Sequence, residues 1–168
     1  MVNAAIWFGA AIFFTLGIGP AIFSNEMRQV FGENAFPYYS GAVALVLLKR
    51  YFILQYICGA VAWLHLFGEW LYLGRLPTRF ALGLLIVLVG LGLLGGVWLQ
   101  PKMKNLRQTM YFGASPAQRE AARHAFGAWH GASMAGNLVI IAGLLVYLLR
   151  VSRPGEVGRY NTFTKFRG

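Results

Sequence analysis

The sequence predicts an all-α integral membrane protein: a four-helix bundle with an extended second region and a fourth helix that protrudes from the membrane. Of its 168 residues, 58% are hydrophobic and only 12% are charged, whereas about 25% are charged in an ordinary soluble domain. The mean hydropathy is +0.57. The apolar residues form four runs, each close to the roughly 20 residues that a helix needs to cross a bilayer. These three observations favour a bilayer, not water, as the solvent of this chain.

The length accommodates one membrane domain, which we place at residues 1–152, followed by a tail at residues 153–168. Cys58 is the only cysteine, so neither an internal disulfide nor a multi-thiolate metal site is possible. The net charge is +10, and the basic residues cluster at the ends of the predicted spans, where cations anchor helices among anionic head groups. We therefore expect the lipid bilayer as a partner, and no nucleic acid.

The first span is predicted at residues 3–23. Its apolar run is interrupted near the end by Gly17-Ile18-Gly19-Pro20, a sequence that loosens and then stops a helix. No basic residue precedes the apolar stretch, as one would in a secretory signal peptide. We therefore interpret this segment as a retained membrane span.

The second region is longer than one bilayer crossing requires. Pro37, flanked by aromatic residues, indicates a helix that starts at the membrane interface. Lys49 and Arg50 mark the lower edge of the hydrocarbon layer. We predict an interfacial or protruding helix at residues 37–48 and the second span at residues 51–73, with one unbroken helix as the alternative.

The third span is predicted at residues 80–99, an apolar run rich in glycine. Gly92 and Gly96 are four residues apart, a spacing that lets two membrane helices approach closely. This span is predicted to pack against its neighbours and to carry no chemistry.

The fourth helix has a clear start signal. Ser115, Pro116 and Gln118 form the pattern of an N-cap, a first-turn proline and a third-position glutamine. The apolar stretch begins only near Phe126, so the helix should begin outside the membrane and cross it at residues 126–150. The tail at residues 153–168 is basic and aromatic, as expected of a surface arm that contacts lipid head groups or a neighbouring subunit. The basic residues are evenly divided between the two sides, so the positive-inside rule assigns no orientation.

A polar stripe lies inside the fourth span. His130, Ser133 and Asn137 fall within about 60° of one another on a helix that turns roughly 100° per residue. A polar group facing hydrocarbon costs several kcal/mol, so the stripe should face other helices, a cavity or a ligand.

Other spans contribute polar residues at matching depths. At about 1.5 Å per residue, His65 and Asn137 both lie about 21 to 23 Å from the same membrane face. Thr15 of the first span belongs to the same polar column, and Gln55 lies at a depth from which it could hydrogen-bond His130. Glu69 follows His65 by four residues, so these two can pair on one helix face.

Each histidine has two interpretations, a satisfied helix–helix hydrogen bond or a ligand. Met134 follows His130 by one helical turn, the arrangement of a weak soft-metal site such as copper. A b-type haem would need two histidines at one level, but the estimated depths of His65 and His130 differ by about 12 Å. We expect no cofactor, with haem b and copper as the less favoured alternatives.

Several elements, taken in their order along the chain, resemble a known family. They are Trp7, Gly19-Pro20 followed by Phe23, Phe36-Pro37-Tyr38-Tyr39, Trp98-Leu99-Gln100-Pro101, and His130-Gly131-Ala132-Ser133 with Asn137. Together they resemble the domain of unknown function 4149, whose eukaryotic relatives are similar to transmembrane protein 205. The resemblance implies a four-helix membrane protein and no established reaction. It places emphasis on six residues: Trp98, Pro101, His130, Gly131, Ser133 and Asn137.

Two classes of function remain open at this point. The first is a structural or accessory subunit of a larger membrane complex, without enzymatic activity, in the bacterial cytoplasmic (inner) membrane. The glycine-rich third span fits this role, because it could present a smooth face to other membrane protein subunits. The second is a small transporter or a metal- or cofactor-handling protein that uses His130, Ser133 and Asn137.

Overall fold

A computed structural model describes residues 1–74 and 78–152, with the side chain of Leu73 excepted; the predicted tail lies outside these residues. Within them the chain is helical and contains no strand. The helices are α1 (Val2–Ile12), π1 (Phe13–Ile18), α2 (Gly19–Ile22), α3 (Asn25–Phe31), α4 (Phe36–Leu73), α5 (Arg79–Leu93), π2 (Leu94–Leu99), α6 (Gln100–Phe112) and α7 (Pro116–Ser152). Four continuous helical segments are long and apolar enough to cross a membrane. This confirms the predicted all-α membrane fold.

Two short π-helical segments interrupt the first and third spans, and each ends two residues before a proline. Pro20 follows π1 and Pro101 follows π2. A proline inside a helix lacks an N–H group, and its ring collides with the carbonyl four residues earlier. The wider π turn relieves that conflict: Gly19 N–H bonds the carbonyl of Phe14, and Gln100 N–H bonds that of Gly95, both five residues back.

The third span consequently does not stop near Leu99, where the apolar run ends. The helix continues through Pro101 into the polar α6 and ends at Phe112. The π turn lets the chain pass the proline without breaking, and α6 then packs along the first turns of α7.

The second region is one unbroken helix of 38 residues. Lys49 and Arg50 lie within α4 and do not interrupt it, so the unbroken alternative is the observed one. The preceding connection contains the short helix α3, which the sequence did not predict. Ser24 caps α3 by accepting a hydrogen bond from the N–H of Met27 at 3.4 Å.

The fourth helix starts where the capping pattern predicts. Ser115 Oγ accepts a hydrogen bond from the N–H of Gln118 at 3.2 Å, and Gln118 Oε1 accepts one from the N–H of Ala114 at 3.0 Å. The helix has 37 residues and is therefore about 55 Å long. That length exceeds the roughly 30 Å of hydrocarbon, so α7 protrudes.

Aromatic and basic side chains cluster at two levels of the bundle, as is typical of membrane interfaces. Trp98 and Trp129 pack edge to face at 5.1 Å, and Lys102 Nζ lies 3.8 Å from the Trp129 ring centre. At the other end, the Arg150 guanidinium stacks over Phe80 and donates to Thr78 Oγ1 at 3.1 Å. The 21 positions from Trp129 to Arg150 rise about 31 Å, which matches the hydrocarbon thickness. The first half of α4, α6 and the first turns of α7 lie beyond the level of Trp98 and Trp129.

The core lies between these two levels and draws on all four spans. Trp7, Leu85, Leu88 and Leu144 are fully buried. The helices are in close contact around this cluster, and the polar side chains of the candidate site lie among these contacts.

Candidate functional site

Asn137 lies at the centre of a polar connection between the first, second and fourth spans. Its amide nitrogen donates to Thr15 Oγ1 at 2.7 Å, and its amide oxygen accepts from the Tyr51 hydroxyl at 3.3 Å. Thr15 in turn donates to the carbonyl of Ala11, also at 2.7 Å. Thr15 lies in π1, so the irregular turn of the first span carries one member of this site.

The connection continues into the core through α4. Gln55 Nε2 donates to the Tyr51 hydroxyl, and Gln55 Oε1 accepts a hydrogen bond from Trp7 Nε1 at 2.7 Å. Gln55 is 3% exposed and Trp7 1% exposed. Tyr51 and Gln55 are four residues apart on α4, so both side chains point toward the same neighbours. The polar chain, defined as Trp7, Gln55, Tyr51, Asn137 and Thr15, therefore crosses the bundle from span to span.

Its two ends set the direction of every hydrogen bond between them. The indole N–H of Trp7 only donates, so Gln55 must turn its oxygen toward Trp7 and its NH₂ group toward Tyr51. At the other end the carbonyl of Ala11 only accepts. Tyr51 consequently donates to Asn137, which donates to Thr15. Within residues 1–74 and 78–152, no buried side-chain nitrogen or oxygen lacks a partner.

His130 lies apart from the polar chain. It is exposed on the outside of the bundle, where its ring stacks on Phe126 with the planes 6° apart. It follows Trp129 directly, so it lies close to the level of the membrane interface. The predicted hydrogen bond from Gln55 to His130 is not formed, because both polar atoms of Gln55 are engaged by Trp7 and Tyr51.

The predicted stripe on α7 thus divides between two environments. Asn137 is half-buried and faces the bundle, Ser133 is half-buried, and His130 faces outward. Ser133 makes no side-chain hydrogen bond with any residue that the structure describes. The three side chains share a helix face, as the spacing predicts, but that face straddles the edge of the bundle.

His65 and Glu69 form the pair that their four-residue spacing allows. Nε2 of His65 lies 3.4 Å from Oε1 of Glu69, and the two side chains are 61% and 52% exposed. The pair lies on the outer surface of α4 and shares no hydrogen bond with Asn137. The shared depth of His65 and Asn137 therefore does not bring them into contact.

The glycines of the third span pack closely against α4. A Cβ atom at Gly96 would collide with the hydroxyl of Tyr56, one at Gly95 would lie 2.8 Å from the Phe52 ring, and the carbonyl of Gly92 accepts from Tyr56 at 3.4 Å. Gly131 differs, because a Cβ atom there would meet nothing within 4 Å. Among the residues that the structure describes, none packs against the Cβ position of Gly131.

The metal candidates share the outward surface of α7. Met134 is 58% exposed, one turn from the exposed His130. Among the described residues, no three His, Cys, Asp or Glu side chains are grouped in a way that could hold a metal ion.

Two members of the polar chain were not predicted as site residues. Trp7 and Tyr51 are aromatic and lie in apolar stretches, where they resemble core or interface residues. The available signal was the spacing of Tyr51 and Gln55, which places a hydroxyl and an amide on one face of α4.

Comparison with known proteins identifies a family to which this chain is similar. The model of the domain of unknown function (DUF4149) matches residues 2–111, a range that includes Trp7, Thr15, Tyr51 and Gln55. No curated protein and no solved structure matches the chain. The similarity to transmembrane protein 205 stays a prediction from the sequence. Since the match covers more than half of its length, the chain belongs to the DUF4149 family.

Proposed function

We propose that this protein is a structural or accessory subunit of a larger membrane complex in the bacterial cytoplasmic membrane. The observation that supports this role most directly is the division of polar groups between inside and outside. The polar chain begins and ends on protein groups within the bundle, whereas a surface of small and polar residues on α7 faces outward.

The interior favours a scaffold over a transport path. A path for ions or solutes needs polar groups that are free to exchange partners, but every hydrogen bond of the polar chain, from the indole of Trp7 to the carbonyl of Ala11, is made to another protein group. A transporter or cofactor handler would also need His130 and Asn137 to act together. His130 faces outward and Asn137 inward, so this second hypothesis has less support.

The outward surface favours contact with another helix. Gly127 and Gly131 are exposed, are four residues apart, and have open space where a Cβ atom would stand. Small residues at this spacing let a second membrane helix approach its neighbour closely. His130 and Met134 lie on the same surface, which we call the α7 outer face.

The proposed occupant of the α7 outer face is a membrane-spanning helix of a different protein. An acceptor oxygen on that helix would bind the imidazole N–H of His130, and its apolar side chains would pack over the two glycines. A second copy of this chain would instead place one His130 opposite another.

The experiment compares two glycine variants of the full chain, extracted from native membranes in a mild detergent and separated on a native gel. Gly131→Leu fills the α7 outer face. Gly9→Leu is the matched control, because Gly9 is also exposed in a span with no atom within 4 Å of its Cβ position. We expect the wild type and Gly9→Leu to migrate with a larger assembly, and Gly131→Leu to migrate alone.

Three outcomes would overturn the proposal: a wild type that migrates alone, an assembly that contains only copies of this chain, or a Gly131→Leu variant that stays assembled. The absorption spectrum and metal content of the same samples address the second hypothesis. A haem absorption band or a stoichiometric metal that is lost in His130→Ala would favour cofactor handling.

A further inference from the structure

We propose that the groove between α4 and α6 binds the phosphate head group of an anionic phospholipid. This inference does not rest on the proposed subunit role. It concerns the part of the chain that extends beyond the bilayer and uses none of the residues of the polar chain or of the α7 outer face.

The groove has a volume of about 580 Å³, within the range of small-molecule sites. Three of its lining residues are cationic and none is acidic. They are Lys49, Lys104 and Arg107, with Gln100 and Gln108 as further hydrogen-bond donors. A concave surface with several positive charges and no carboxylate is complementary to a phosphate group.

Arg107 provides the strongest reason to expect an anion. It is only 8% exposed, and a buried charge is costly unless a group of opposite charge compensates it. Its Nη2 atom donates to the carbonyl of Tyr38, and the guanidinium stacks near the Tyr38 and Tyr111 rings. These neighbours are neutral. Within the part of the chain that the structure describes, no glutamate lies within 4 Å of Arg107.

The remaining nitrogens of Arg107 make no hydrogen bond with the described residues. Only Nη2 makes a hydrogen bond, and no buried side-chain nitrogen among the described residues lacks a partner. Nε and Nη1 of Arg107 are therefore not fully buried, and the residue lines the groove. An arginine fork that is held by stacking on aromatic rings is well suited to phosphate oxygens.

Gly41 makes room for this arginine. A Cβ atom at position 41 would lie 2.7 Å from Arg107 Nε, a separation that would force the guanidinium to move. The close approach of α4 to Arg107 thus depends on a residue without a side chain.

The position of the groove favours a lipid over free phosphate. Its lower end, at Lys49 and Gln100, lies at the interface level that Trp98 and Lys102 mark. Arg107 follows Lys102 by five residues, about 7 Å farther from the hydrocarbon, which is within the depth of the head-group region. Leu45 and Val46 also line the groove, and they offer apolar contact to the glycerol and acyl portion of a lipid.

The experiment measures lipid retention by native mass spectrometry on the full chain, purified in a neutral detergent. The probes are phosphatidylglycerol, phosphatidylcholine of the same acyl chains, and inorganic phosphate. Lys104→Gln is paired with Lys102→Gln. Both remove one charge from α6, but Lys104 lines the groove whereas Lys102 contacts Trp98 and Trp129.

We expect the wild type to retain phosphatidylglycerol in preference to phosphatidylcholine, and Lys104→Gln to reduce retention about tenfold or more, the usual effect of losing one charge-assisted hydrogen bond. Lys102→Gln should bind as the wild type does. Gly41→Ala should weaken binding while leaving all charges in place. Arg107→Lys should bind more weakly than the wild type, because the lysine ammonium group cannot bind two phosphate oxygens side by side as a planar guanidinium does.

Equal retention of the two lipids would overturn the proposal, as would equal losses in Lys104→Gln and Lys102→Gln. If inorganic phosphate alone displaces phosphatidylglycerol at equal concentration, the groove is a phosphate site and the lipid assignment is wrong. Circular dichroism of each variant separates loss of binding from loss of folding.

Discussion

Asn137 of the fourth span donates a hydrogen bond of 2.7 Å to Thr15 of the first span, 122 positions earlier in the chain. The same amide accepts from Tyr51 of the second span, so one side chain ties three spans together. In a bilayer, apolar contact alone discriminates poorly between helix arrangements, because lipid tails are as apolar as the helices. A directed hydrogen bond therefore contributes specificity as well as stability.

Replacing Asn137 by leucine should destabilise the bundle by about 1–2 kcal/mol, the range of hydrogen bonds between membrane helices. The variant leaves the Tyr51 hydroxyl without its acceptor. Equilibrium unfolding of the purified chain in mixed micelles measures the change. Ser133→Ala is the control, because Ser133 lies on the same helix and makes no side-chain hydrogen bond with the described residues; its effect should stay below about 0.5 kcal/mol. Equal losses in the two variants would contradict the role assigned to Asn137.

The donor-to-acceptor direction of the hydrogen bonds in the polar chain can be tested at Gln55. An ionised carboxylate only accepts hydrogen bonds, so in Gln55→Glu both Trp7 and Tyr51 must donate to residue 55. The amide oxygen of Asn137 then loses the hydrogen bond that the Tyr51 hydroxyl donates to it. We expect a loss of stability at about pH 8 that exceeds the loss at about pH 4, since a protonated carboxyl again supplies a donor to Tyr51.

Unfolding of Gln55→Glu and Gln55→Met at both pH values gives the comparison. Methionine removes both hydrogen bonds and has no titratable group. The difference in unfolding free energy between Gln55→Met and the wild type should therefore be the same at both pH values. A Gln55→Glu variant with the same pH response as Gln55→Met would show that bond direction is unimportant.

Close packing of the third span against α4 predicts a large effect of one methyl group. Gly96→Ala should destabilise the protein by about 1–3 kcal/mol, the usual cost of overpacking, because the new Cβ atom would collide with Tyr56. Gly90→Ala, also in the third span, meets nothing within 4 Å and should be neutral or stabilising. Thermal unfolding measures both, and Tyr56→Phe should partly restore Gly96→Ala by removing the colliding hydroxyl. A neutral Gly96→Ala would contradict the observed packing.

A further prediction concerns the short helix α3 outside the membrane. A hydrogen bond with Ser24 is the main reason why the pKa of Glu26 lies below its usual value of 4.5. Since the folded-state pKa is lowered, the stabilisation is present above the usual pKa and is lost as the pH falls through the folded-state value. Ser24→Ala should raise the pKa of Glu26 toward 4.5, as followed by carboxyl NMR titration. An unchanged titration would contradict this contact.

The local parts of the fold were predictable from the sequence. Apolar length identified four spans, and the Ser115 and Gln118 pattern located the start of α7, because span length and helix capping depend on neighbouring residues alone. The end of the third span was less predictable. Pro101 signals a helix end, but whether a π turn absorbs a proline depends on the packing around it.

The candidate site was only partly predictable. Helical spacing singled out Asn137, and depth along the spans singled out Gln55 and Thr15; the structure places all three in one polar chain. Their partners Trp7 and Tyr51 were not predicted as site residues, because an aromatic side chain in an apolar stretch has the same appearance whether its polar atom is used or not.

Four membrane spans can be predicted from the sequence alone, because hydrocarbon imposes length and apolarity on every crossing helix. Which residues of that shared face of α7 turn toward the bundle depends on the packing of the other spans. In water the apolar face of a helix is the buried one, but in a bilayer the inner and outer faces are both apolar. Asn137 therefore lies inside and His130 outside for a reason that spacing along one helix does not contain: the positions of Thr15 and Tyr51 on two other spans.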